Sequence, residues 1–378
     1  MRIAQVAPLI ESVPPKHYGG TERIVSYLTE ELVRVGHDIT LFASGDSVTS
    51  ARLIAPCQRS LRENERCKDP VAREVLLLDH LIEQIDEFDL IHFHTGYLHF
   101  PICRYLRVPH VTTLHGRLDI PELVPVFDRF RNERLISISN AQRQPLSWAN
   151  WQATIYHGLP KDLFQFYPDR GDYLAFLGRI SPEKRVDRAI EIAKRAGMRL
   201  KIAAKVDRVD KRYFKRVVEP MLQESHVEWI GEISDQEKDQ FLGNAYALLF
   251  PIDWPEPFGL VMIEAMACGT PVIAYDAGSV SEVMEHGVTG LIVTKLDGAV
   301  EAIGRVANLS RARCREVFEK RFTASRMASD YVKVYRRMID ARMRNLNRCF
   351  ESSLRAIARQ PDALKDRKRT QKRPALIT

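Results

Sequence analysis

The chain has 378 residues, a formal net charge of +7, 45% hydrophobic residues and 28% charged residues. This balance is typical of a globular protein and excludes a disordered or fibrous chain, and the length suits two domains with separate cores. No run approaches the roughly 20 apolar residues of a membrane-spanning helix. The start, MRIAQVAPLIESVPP, lacks the long apolar run and the cleavage site of a signal peptide.

The six cysteines contain no C-x-x-C pair. This spacing predicts neither a zinc site nor a disulfide framework, so we expect reduced thiols in a cytoplasmic protein. Much of the excess positive charge lies near the end of the chain, in RMRNLNRCF and KDRKRTQKR. A basic tail can bind nucleic acid or an anionic membrane surface, but its low apolar content favours a flexible, solvated terminus over residues 345–378.

Strands and helices alternate in the first part of the chain. Buried strands are predicted at RIAQVAP, DITLFAS, DLIHFHT, HVTTLH and RLISIS. The spacing of apolar residues predicts helices at TERIVSYLTEELVRVGH, which Gly36 ends, and at LLLDHLIEQI. This alternation predicts a parallel sheet with helices on both faces.

The same pattern restarts after a loop rich in Pro, Gly and Asp at residues 157–171. Strands are predicted at DYLAFLGRI, LKIAAKV, HVEWIGEI, YALLFPI and TPVIAYDA, and helices at EKRVDRAIEIAKRAG and GLVMIEAMACG. We therefore predict an N-terminal domain over residues 1–160 and a C-terminal domain over residues 161–325, each with its own sheet.

A further helix is predicted over residues 317–340, after the second sheet should be complete at about Thr294. Its apolar residues have the spacing of a buried stripe: Phe322, Met327, Tyr331, Val334, Tyr335 and Met338. Because nothing of its own sheet is left to cover, this helix needs another surface.

Two glutamates lie in the segment PEPFGLVMIEAMACGTPVIA, residues 255–274. Glu256 follows a strand, and Glu264 lies on the next helix. Because open α/β sheets bind ligands at the carboxyl ends of their strands, we expect both glutamates to face one crevice. Carboxylates suit hydroxyl-rich ligands, and the amides of Phe258, Gly259 and Leu260 at the helix start can donate to ligand oxygens. Taken alone, this spacing is more often a helix-capping glutamate followed by an incidental one.

Cations and glycines follow two other predicted strands. Arg179 ends a strand and Lys184 precedes the next helix, where an anion would bind, although such a pair is also common as solvated surface cations. Gly19 and Gly20 lie between the first strand and the first helix, where glycines let the backbone approach a phosphate, although an ordinary turn fits as well. The sequence lacks G-x-G-x-x-G, which argues against a dinucleotide cofactor.

Several histidines belong to the first domain. His115 follows a strand and should point into the same crevice, as a base, a polar contact or a satisfied core histidine. His92 and His94 share one face of a strand, and with His99 they suggest a metal site. No Asp or Glu partner and no H-x-x-x-H spacing supports such a site, and without a D-x-D motif no divalent cation is needed to bridge a diphosphate, so we predict no metal.

The segment around Glu256 and Glu264 resembles the E-x7-E signature of glycosyltransferase family 4, a retaining family of the GT-B fold. Its Pro-Phe-Gly, Glu-Ala-Met-Ala-Cys-Gly and Pro-Val-Ile-Ala runs all match, and the resemblance covers most of residues 1–335. It implies an α/β protein of the GT-B fold, in which two Rossmann-like domains face a central cleft. It also implies that the helix over residues 326–344 crosses back onto the first domain.

The resemblance implies roles for residues of the second domain. Glu264 would bind the ribose of a nucleotide sugar, and Glu256 would bind hydroxyls of the transferred sugar. Arg179 and Lys184 would grip the donor diphosphate and offset its charge as it leaves, in place of a divalent cation. Arg185 stands where many members of the family have glycine, and this departure concerns the shape of the loop.

In the first domain, the resemblance places Gly19 and Gly20 by the donor phosphates and the acceptor, and His115 close to the anomeric carbon. The candidate catalytic residues are therefore His115, Glu256, Arg179 and Lys184. The Asn-Gly-hydrophobic-Asp run of the family is replaced by HGLP at residues 157–160, whose role is left open.

We therefore expect a metal-independent retaining glycosyltransferase that needs no cofactor and moves a hexose from a nucleotide-diphosphate sugar, UDP-linked, to an acceptor hydroxyl. The sequence does not define the acceptor, which is a saccharide, a lipid-linked molecule or a small molecule. A glycan phosphorylase and a nucleotide-sugar epimerase are alternatives with the same fold. A non-catalytic carbohydrate- or nucleic-acid-binding protein is a further alternative, although we expect no nucleic-acid partner. Any contact with a membrane is expected at the inner face of an anionic membrane, through the basic surface of the protein.

Overall fold

A computed structural model describes residues 1–16, 19–64 and 67–358 of the chain. The chain divides into two units, Met1–Val332 and Lys333–Thr378, and both sheets lie in the first unit. The domain boundaries expected after residues 160 and 325 stay predictions. The basic run KDRKRTQKR, which belongs to the expected flexible tail, lies outside the described residues.

The first sheet has seven parallel strands in the order β3-β2-β1-β4-β5-β6-β7. These strands are β1 (Arg2–Val6), β2 (Asp38–Phe42), β3 (Arg52–Ile54), β4 (Leu90–Phe93), β5 (His110–Thr113), β6 (Leu135–Ser137) and β7 (Trp151–Thr154). Its helices are α1 (Gly20–Arg34), α2 (Pro70–Glu83), α3 (Phe100–Cys103), α4 (Leu123–Arg129) and α5 (Asn140–Arg143), with short 3-10 turns at Ile85–Glu87 and Gln144–Leu146. The central strands are buried on both faces, which explains their nearly continuous apolar sequences.

The second sheet has six parallel strands in the order β10-β9-β8-β11-β12-β13. These strands are β8 (Tyr173–Arg179), β9 (Arg199–Lys205), β10 (Val227–Gly231), β11 (Ala247–Phe250), β12 (Val272–Tyr275) and β13 (Gly290–Val293). The helices that follow β8 in the chain are α6 (Val186–Ala196), α7 (Lys211–Tyr213), α8 (Glu219–Met221), α9 (Asp235–Gly243), α10 (Leu260–Cys268), α11 (Val280–Val283), α12 (Leu296–Val306), α13 (Arg311–Arg321) and α14 (Ala324–Ala358). A 3-10 turn at Arg208–Asp210 precedes α7, and a π-helical turn at Phe214–Val218 joins α7 to α8.

The predicted α/β architecture of two parallel, Rossmann-like sheets is confirmed. In the first sheet the strand order reverses between β1 and β4, and in the second it reverses between β8 and β11. Open sheets of this kind bind ligands outside the carboxyl ends of the strands at such reversals. The loops after these four strands are therefore the places where a functional site is expected.

The linker between the two sheets lies beside the segment that joins α13 to α14. The amide of Leu159 donates to the carbonyl of Phe322 (2.9 Å), and the amide of Ala324 donates to the carbonyl of Leu159 (2.7 Å). A Cβ atom on Gly158 would lie 2.2 Å from the carbonyl oxygen of Thr323, so only glycine permits this close approach of two backbones. The linker between the sheets is therefore fixed to the segment that begins α14.

The start of α14 contacts the first sheet. Tyr331 is fully buried, and its hydroxyl hydrogen-bonds with Oγ1 of Thr113 at the end of β5 (3.0 Å). The Tyr331 ring lies 5.0 Å from the ring of His92 on β4. The helix continues past residue 344, where the sequence predicted its end, to Ala358. The crossing of residues 326–344 onto the first domain stays a prediction, because the boundary between the two units falls within α14.

Replacing Tyr331 tests the contribution of this contact to stability. We expect Tyr331→Phe to lower the free energy of unfolding by about 0.5–1.5 kcal/mol, because one hydrogen bond to Thr113 is lost. Tyr331→Ala should cost about 3–5 kcal/mol, because a large buried ring is removed. Urea denaturation measures both values, with Tyr105→Phe as the control because Tyr105 is 85% exposed. An alanine variant as stable as the wild type would contradict this account of the contact.

Within the residues that the structure describes, no helix combines the length and the apolar character required to span a bilayer.

Candidate functional site

A cleft of about 350 Å³ lies at the carboxyl ends of both sheets. Every candidate site residue predicted from the sequence lines it: Gly19, Gly20, His115, Arg179, Lys184, Glu256, Phe258, Gly259, Leu260 and Glu264. The structure therefore brings all of these residues together, whereas the role of each one stays a prediction.

Two neighbouring loops hold Glu256 in the cleft. The amide of Asp253, after β11, donates to the carbonyl of Glu183, after β8 (2.8 Å). The amide of Ser279 donates to the carbonyl of Glu256 (2.9 Å). Gly278 has a φ of +59°, and a Cβ atom there would lie 2.3 Å from the backbone of Glu256. Close backbone packing thus fixes the loop that carries this glutamate.

The carboxylate of Glu256 forms an ion pair with Lys184. The Glu256 side chain also accepts a hydrogen bond from Nε1 of Trp254 (2.8 Å). Only 14% of the Lys184 side chain and 9% of the Glu256 side chain are exposed. Nζ of Lys184 lies 5.1 Å from the ring centroid of Trp254 and 5.4 Å from that of Phe250. An ammonium held between two aromatic rings and a buried carboxylate has little freedom to move, so its charge is fixed in the cleft.

Arg185 adopts the backbone conformation that glycine would supply. It has a φ of +54° and a ψ of 51°, in the left-handed region, directly before α6. Such a conformation costs a non-glycine residue about 1–2 kcal/mol. Two ion pairs of the guanidinium, with Asp187 (3.0 Å) and Asp253 (2.7 Å), offset this cost. Arg185 therefore has a backbone conformation that favours glycine, stabilised here by the ion pairs of its side chain.

Arg179 is held loosely by two carboxylates. Its Nη1 lies 3.5 Å from Oδ2 of Asp207, and its Nε lies 3.7 Å from Oδ2 of Asp210. Nε of Arg179 and Oδ2 of Asp210 are both buried and make no hydrogen bond within the described residues. These long contacts can be exchanged for bonds to a bound anion at small cost, because the guanidinium pairs more strongly with well-aligned oxygens.

The helix that carries Glu264 begins at the cleft. No side chain of the described residues caps α10, so its first amides remain available to ligand oxygens. Its N-cap residue, Gly259, has a φ of +78°, and a Cβ atom there would lie 2.7 Å from Cε of Met262. Nζ of Lys238 donates to Oε1 of Glu264 (3.3 Å), whose side chain is 6% exposed. Lys238 was not predicted from the sequence, because nothing in the spacing of α9 relates it to Glu264.

The first sheet contributes a second uncapped helix. No side chain of the described residues caps α1, whose N-cap residue is Gly19 and whose first residue is Gly20. A Cβ atom on Gly19 would lie 2.8 Å from the ring of Pro15. Across the cleft, the ideal Cβ position of Gly20 lies 3.5 Å from Cδ1 of Leu260. The starts of α1 and α10 therefore face each other, and both present backbone donors to the cleft.

His115 lies on the same wall as part of a histidine cluster. Its Nε2 hydrogen-bonds with Nδ1 of His94 (2.9 Å), and Nε2 of His94 hydrogen-bonds with Oε1 of Gln5 (2.8 Å). Burial lowers the pKa of His115 to about 3 and lowers the pKa of His94 well below its usual value. Both imidazoles are therefore neutral at physiological pH.

His157, whose role the sequence left open, also lines the cleft. Its ring stacks on that of His115, with centroids 5.3 Å apart and planes 16° apart, and meets the edge of Phe258 at 4.8 Å. Burial lowers the pKa of His157 well below its usual value. The sequence showed that His157 replaces the family's Asn, which marked the position as unusual. It could not show that the side chain lies in the cleft.

The histidine metal hypothesis gains no support from the geometry. His92 and His94 have ring centroids 4.0 Å apart, but Nε2 of His92 bonds Thr113 (2.7 Å). In the described part of the chain, the metal-ligating side chains that come together are Cys103, His110 and Glu133, outside the cleft.

The neutral histidines predict that the protein loses stability in acid. His115 has a pKa of about 3 when folded and about 6.5 when unfolded, so the unfolded chain binds more protons between these values. Stability is therefore present above pH ~6.5 and falls as the pH drops through this window, by up to about 1.4 kcal/mol per pH unit from this residue. Urea unfolding at several pH values measures the slope.

His115→Asn should flatten that slope, whereas His80→Asn, at a histidine with a 40% exposed side chain, should leave it unchanged. Equal slopes in His115→Asn and the wild type would mean that His115 is not held neutral by burial.

Two family models match the chain. Residues 164–320 match the model of glycosyl transferases group 1, and residues 18–170 match that of glycosyltransferase family 4. The chain belongs to glycosyltransferase family 4. The Glu256 and Glu264 segment lies within the first match, and His115 lies within the second.

Similar proteins agree with this membership. An uncharacterized glycosyltransferase of Methanocaldococcus jannaschii is 28% identical over 231 residues, which cover 57% of this chain and 63% of that protein, less than two thirds of its length. The solved structure of sucrose-phosphate synthase from Thermosynechococcus elongatus has a TM-score of 0.72 and 20% identity, covering 90% of this chain and 100% of that one. Anabaena HepE in complex with UDP and glucose has a TM-score of 0.68 and 19% identity, covering 88% and 98%. These structural likenesses show that the fold is GT-B.

Proposed function

We propose that this chain is a retaining glycosyltransferase that moves a hexose from a nucleotide-diphosphate sugar, UDP-linked, to an acceptor hydroxyl. The observation that carries the proposal is the buried Lys184–Glu256 ion pair in a cleft also lined by Arg179 and Glu264. Cations and helix starts suit a diphosphate, and carboxylates suit the hydroxyls of a ribose and a hexose. The UDP-linked donor is supported by the similar fold of Anabaena HepE, which was solved with UDP and glucose.

The donor is proposed to lie mainly against the second sheet. Glu264, in the middle of α10, would accept hydrogen bonds from the ribose hydroxyls, and Glu256 would accept them from the transferred sugar. Arg179 and Lys184 would stabilise the diphosphate as its charge grows during departure. Arg179 would then exchange its loose contacts with Asp207 for bonds to phosphate oxygens.

Retention of configuration is proposed to occur by displacement on one face of the sugar. Glu256 is engaged by Lys184 and Trp254, so it serves as a hydrogen-bond acceptor rather than as a covalent nucleophile. The bond from the anomeric carbon to the leaving phosphate breaks through an oxocarbenium-like state, and the acceptor oxygen attacks from the same side. The leaving phosphate takes the acceptor's proton, which balances the step without a separate base. His115 is neutral and cannot supply a positive charge there.

A direct test combines donor binding with product analysis. Thermal shifts with UDP, GDP, ADP and their sugars identify the nucleotide, because a bound donor raises the apparent stability. The purified protein is then incubated with that donor and a panel of saccharide, lipid-linked and small-molecule acceptors. Proton NMR of the product should show the same anomeric configuration as the donor. A product of inverted configuration would overturn the retaining mechanism.

The same assay separates the other activities of this fold. A glycan phosphorylase would require inorganic phosphate and release a sugar phosphate, and an epimerase would convert the donor without any acceptor. A protein that binds carbohydrate without catalysis would give a thermal shift but no product.

Transfer should persist after metal removal. Arg179 and Lys184 provide two positive charges in the cleft, so we expect dialysis against EDTA to leave the initial rate unchanged. The rate is measured before and after dialysis, with the same donor and acceptor concentrations. Specific restoration of a chelated enzyme by magnesium or manganese would contradict this prediction.

A further inference from the structure

A chain of hydrogen bonds leads from the sheet core to the cleft. Gln5 on β1 and His94 after β4 are both buried, and neither lines the cleft. Oε1 of Gln5 lies 2.8 Å from Nε2 of His94, and Nδ1 of His94 lies 2.9 Å from Nε2 of His115. Since β1 and β4 are paired strands, the positions of Gln5 and His94 are set by the sheet itself.

The donors and acceptors along this chain follow from its first member. An amide oxygen only accepts, so Nε2 of His94 must carry the proton that is donated to Gln5. A neutral imidazole has one N–H, so Nδ1 of His94 is then an acceptor. The bond between the two histidines therefore requires that Nε2–H of His115 donates to Nδ1 of His94. Nδ1 of His115 is left with a lone pair and no proton.

Among the residues that the structure describes, none bonds this nitrogen of His115. Nδ1 is shielded from solvent and makes no hydrogen bond within the described residues. A buried acceptor without a partner is unfavourable, because it has lost its hydrogen bond to water and gained none in return. Because the His115 ring lines the cleft, a ligand bound there can supply the missing donor. The hydroxyls of a sugar are donors of this kind.

We infer that Gln5 and His94 are positioning residues that hold His115 in the Nε2–H tautomer, so that its Nδ1 accepts a hydrogen bond from a sugar hydroxyl. This inference rests on the proposed function for the identity of the ligand, but the tautomer is a property of the protein alone. The two residues act through His115 and touch no substrate. Their effect is on the direction of one hydrogen bond, and therefore on which ligand groups the cleft accepts.

The tautomers are measured directly by long-range proton–nitrogen correlation NMR on the full-length protein with labelled histidines, at neutral pH. The His94 and His115 signals are assigned by their loss in His94→Asn and His115→Asn. The expected result is that both residues are neutral and carry the proton on Nε2. A His115 that carries its proton on Nδ1 would overturn the inference.

Two variants of Gln5 separate positioning from packing. Gln5→Glu keeps an acceptor oxygen facing His94, so the His115 tautomer and the KM for the sugar donor should stay close to the wild type. Gln5→Leu has a similar size but no acceptor, so His115 should populate the Nδ1–H tautomer and KM should rise about 3- to 10-fold, the effect of one hydrogen bond. An unchanged tautomer and KM in the leucine variant would exclude the positioning role. A wild-type protein with the expected tautomer but no transferase activity would refute the proposed function and leave the positioning arrangement standing.

Discussion

Replacing Glu256 by glutamine should reduce turnover about 10- to 100-fold while leaving the affinity for free nucleotide close to that of the wild type. The carboxylate accepts hydrogen bonds in a buried site, and one such bond from a charged acceptor contributes about 1.5–3 kcal/mol. The amide has nearly the same shape but carries no charge. Steady-state rates measure turnover, and calorimetry with UDP measures affinity.

Glu264→Gln is the matched comparison for this experiment. Glu264 lies on the same helix-and-loop segment but is proposed to bind the ribose, so its replacement should weaken UDP binding by about 10-fold or more. Both carboxylates are buried and each is bonded by one lysine, Lys184 or Lys238. Both changes therefore remove one lysine-paired charge, although Glu256 also accepts a hydrogen bond from Trp254. Equal losses of nucleotide affinity in the two variants would contradict the proposed division of roles.

Many strands and helices could be predicted from the spacing of apolar residues along the chain. Long buried strands such as β1 and β8 and amphipathic helices such as α1 and α6 have strong apolar patterns, and each was predicted. The short strands β3 (Arg52–Ile54) and β7 (Trp151–Thr154) were not predicted, because three or four half-buried residues at the ends of a sheet have no clear period.

The location of the site could be predicted because parallel sheets direct the ends of their strands to one edge. Glu256, Arg179 and His115 are separated widely in the chain, yet all follow strands and all line one cleft. Its internal contacts could not be predicted. That Trp254 bonds Glu256, and that His157 stacks on His115, depends on side-chain directions in loops, which no sequence period encodes.

Arg185 shows a different limit of sequence reasoning. Arginine in place of the family's glycine concerned the shape of the loop, but the sequence did not predict which backbone conformation the arginine adopts. In the structure Arg185 has a left-handed backbone, and Asp187 and Asp253 bind its guanidinium. Neither aspartate could be assigned as its partner without the fold.

Lys184→Met should reduce turnover more than Glu256→Gln does. We expect a loss of about 100- to 1,000-fold. Lys184 has two possible roles, since it neutralises Glu256 and it can stabilise the departing diphosphate. If Lys184 served only to neutralise Glu256, it would not be needed once Glu256 is replaced by glutamine. The double variant Lys184→Met/Glu256→Gln would then be more active than the single variant Lys184→Met. Stabilisation of the leaving group predicts that the double variant is at least as impaired as Lys184→Met.

The leaving-group role also predicts which kinetic constant changes. Negative charge on the diphosphate grows only as the bond to the sugar breaks, so the lysine acts more strongly in the transition state than in the bound donor. The turnover number of Lys184→Met should therefore fall far more than the KM for the donor rises. Lys194→Met is the control for the change in net charge, because Lys194 is 55% exposed and pairs with Glu224 outside the cleft. Recovery of turnover in the double variant would show that Lys184 serves only to neutralise Glu256, and the charge that stabilises the diphosphate would then have to come from Arg179 and the helix starts.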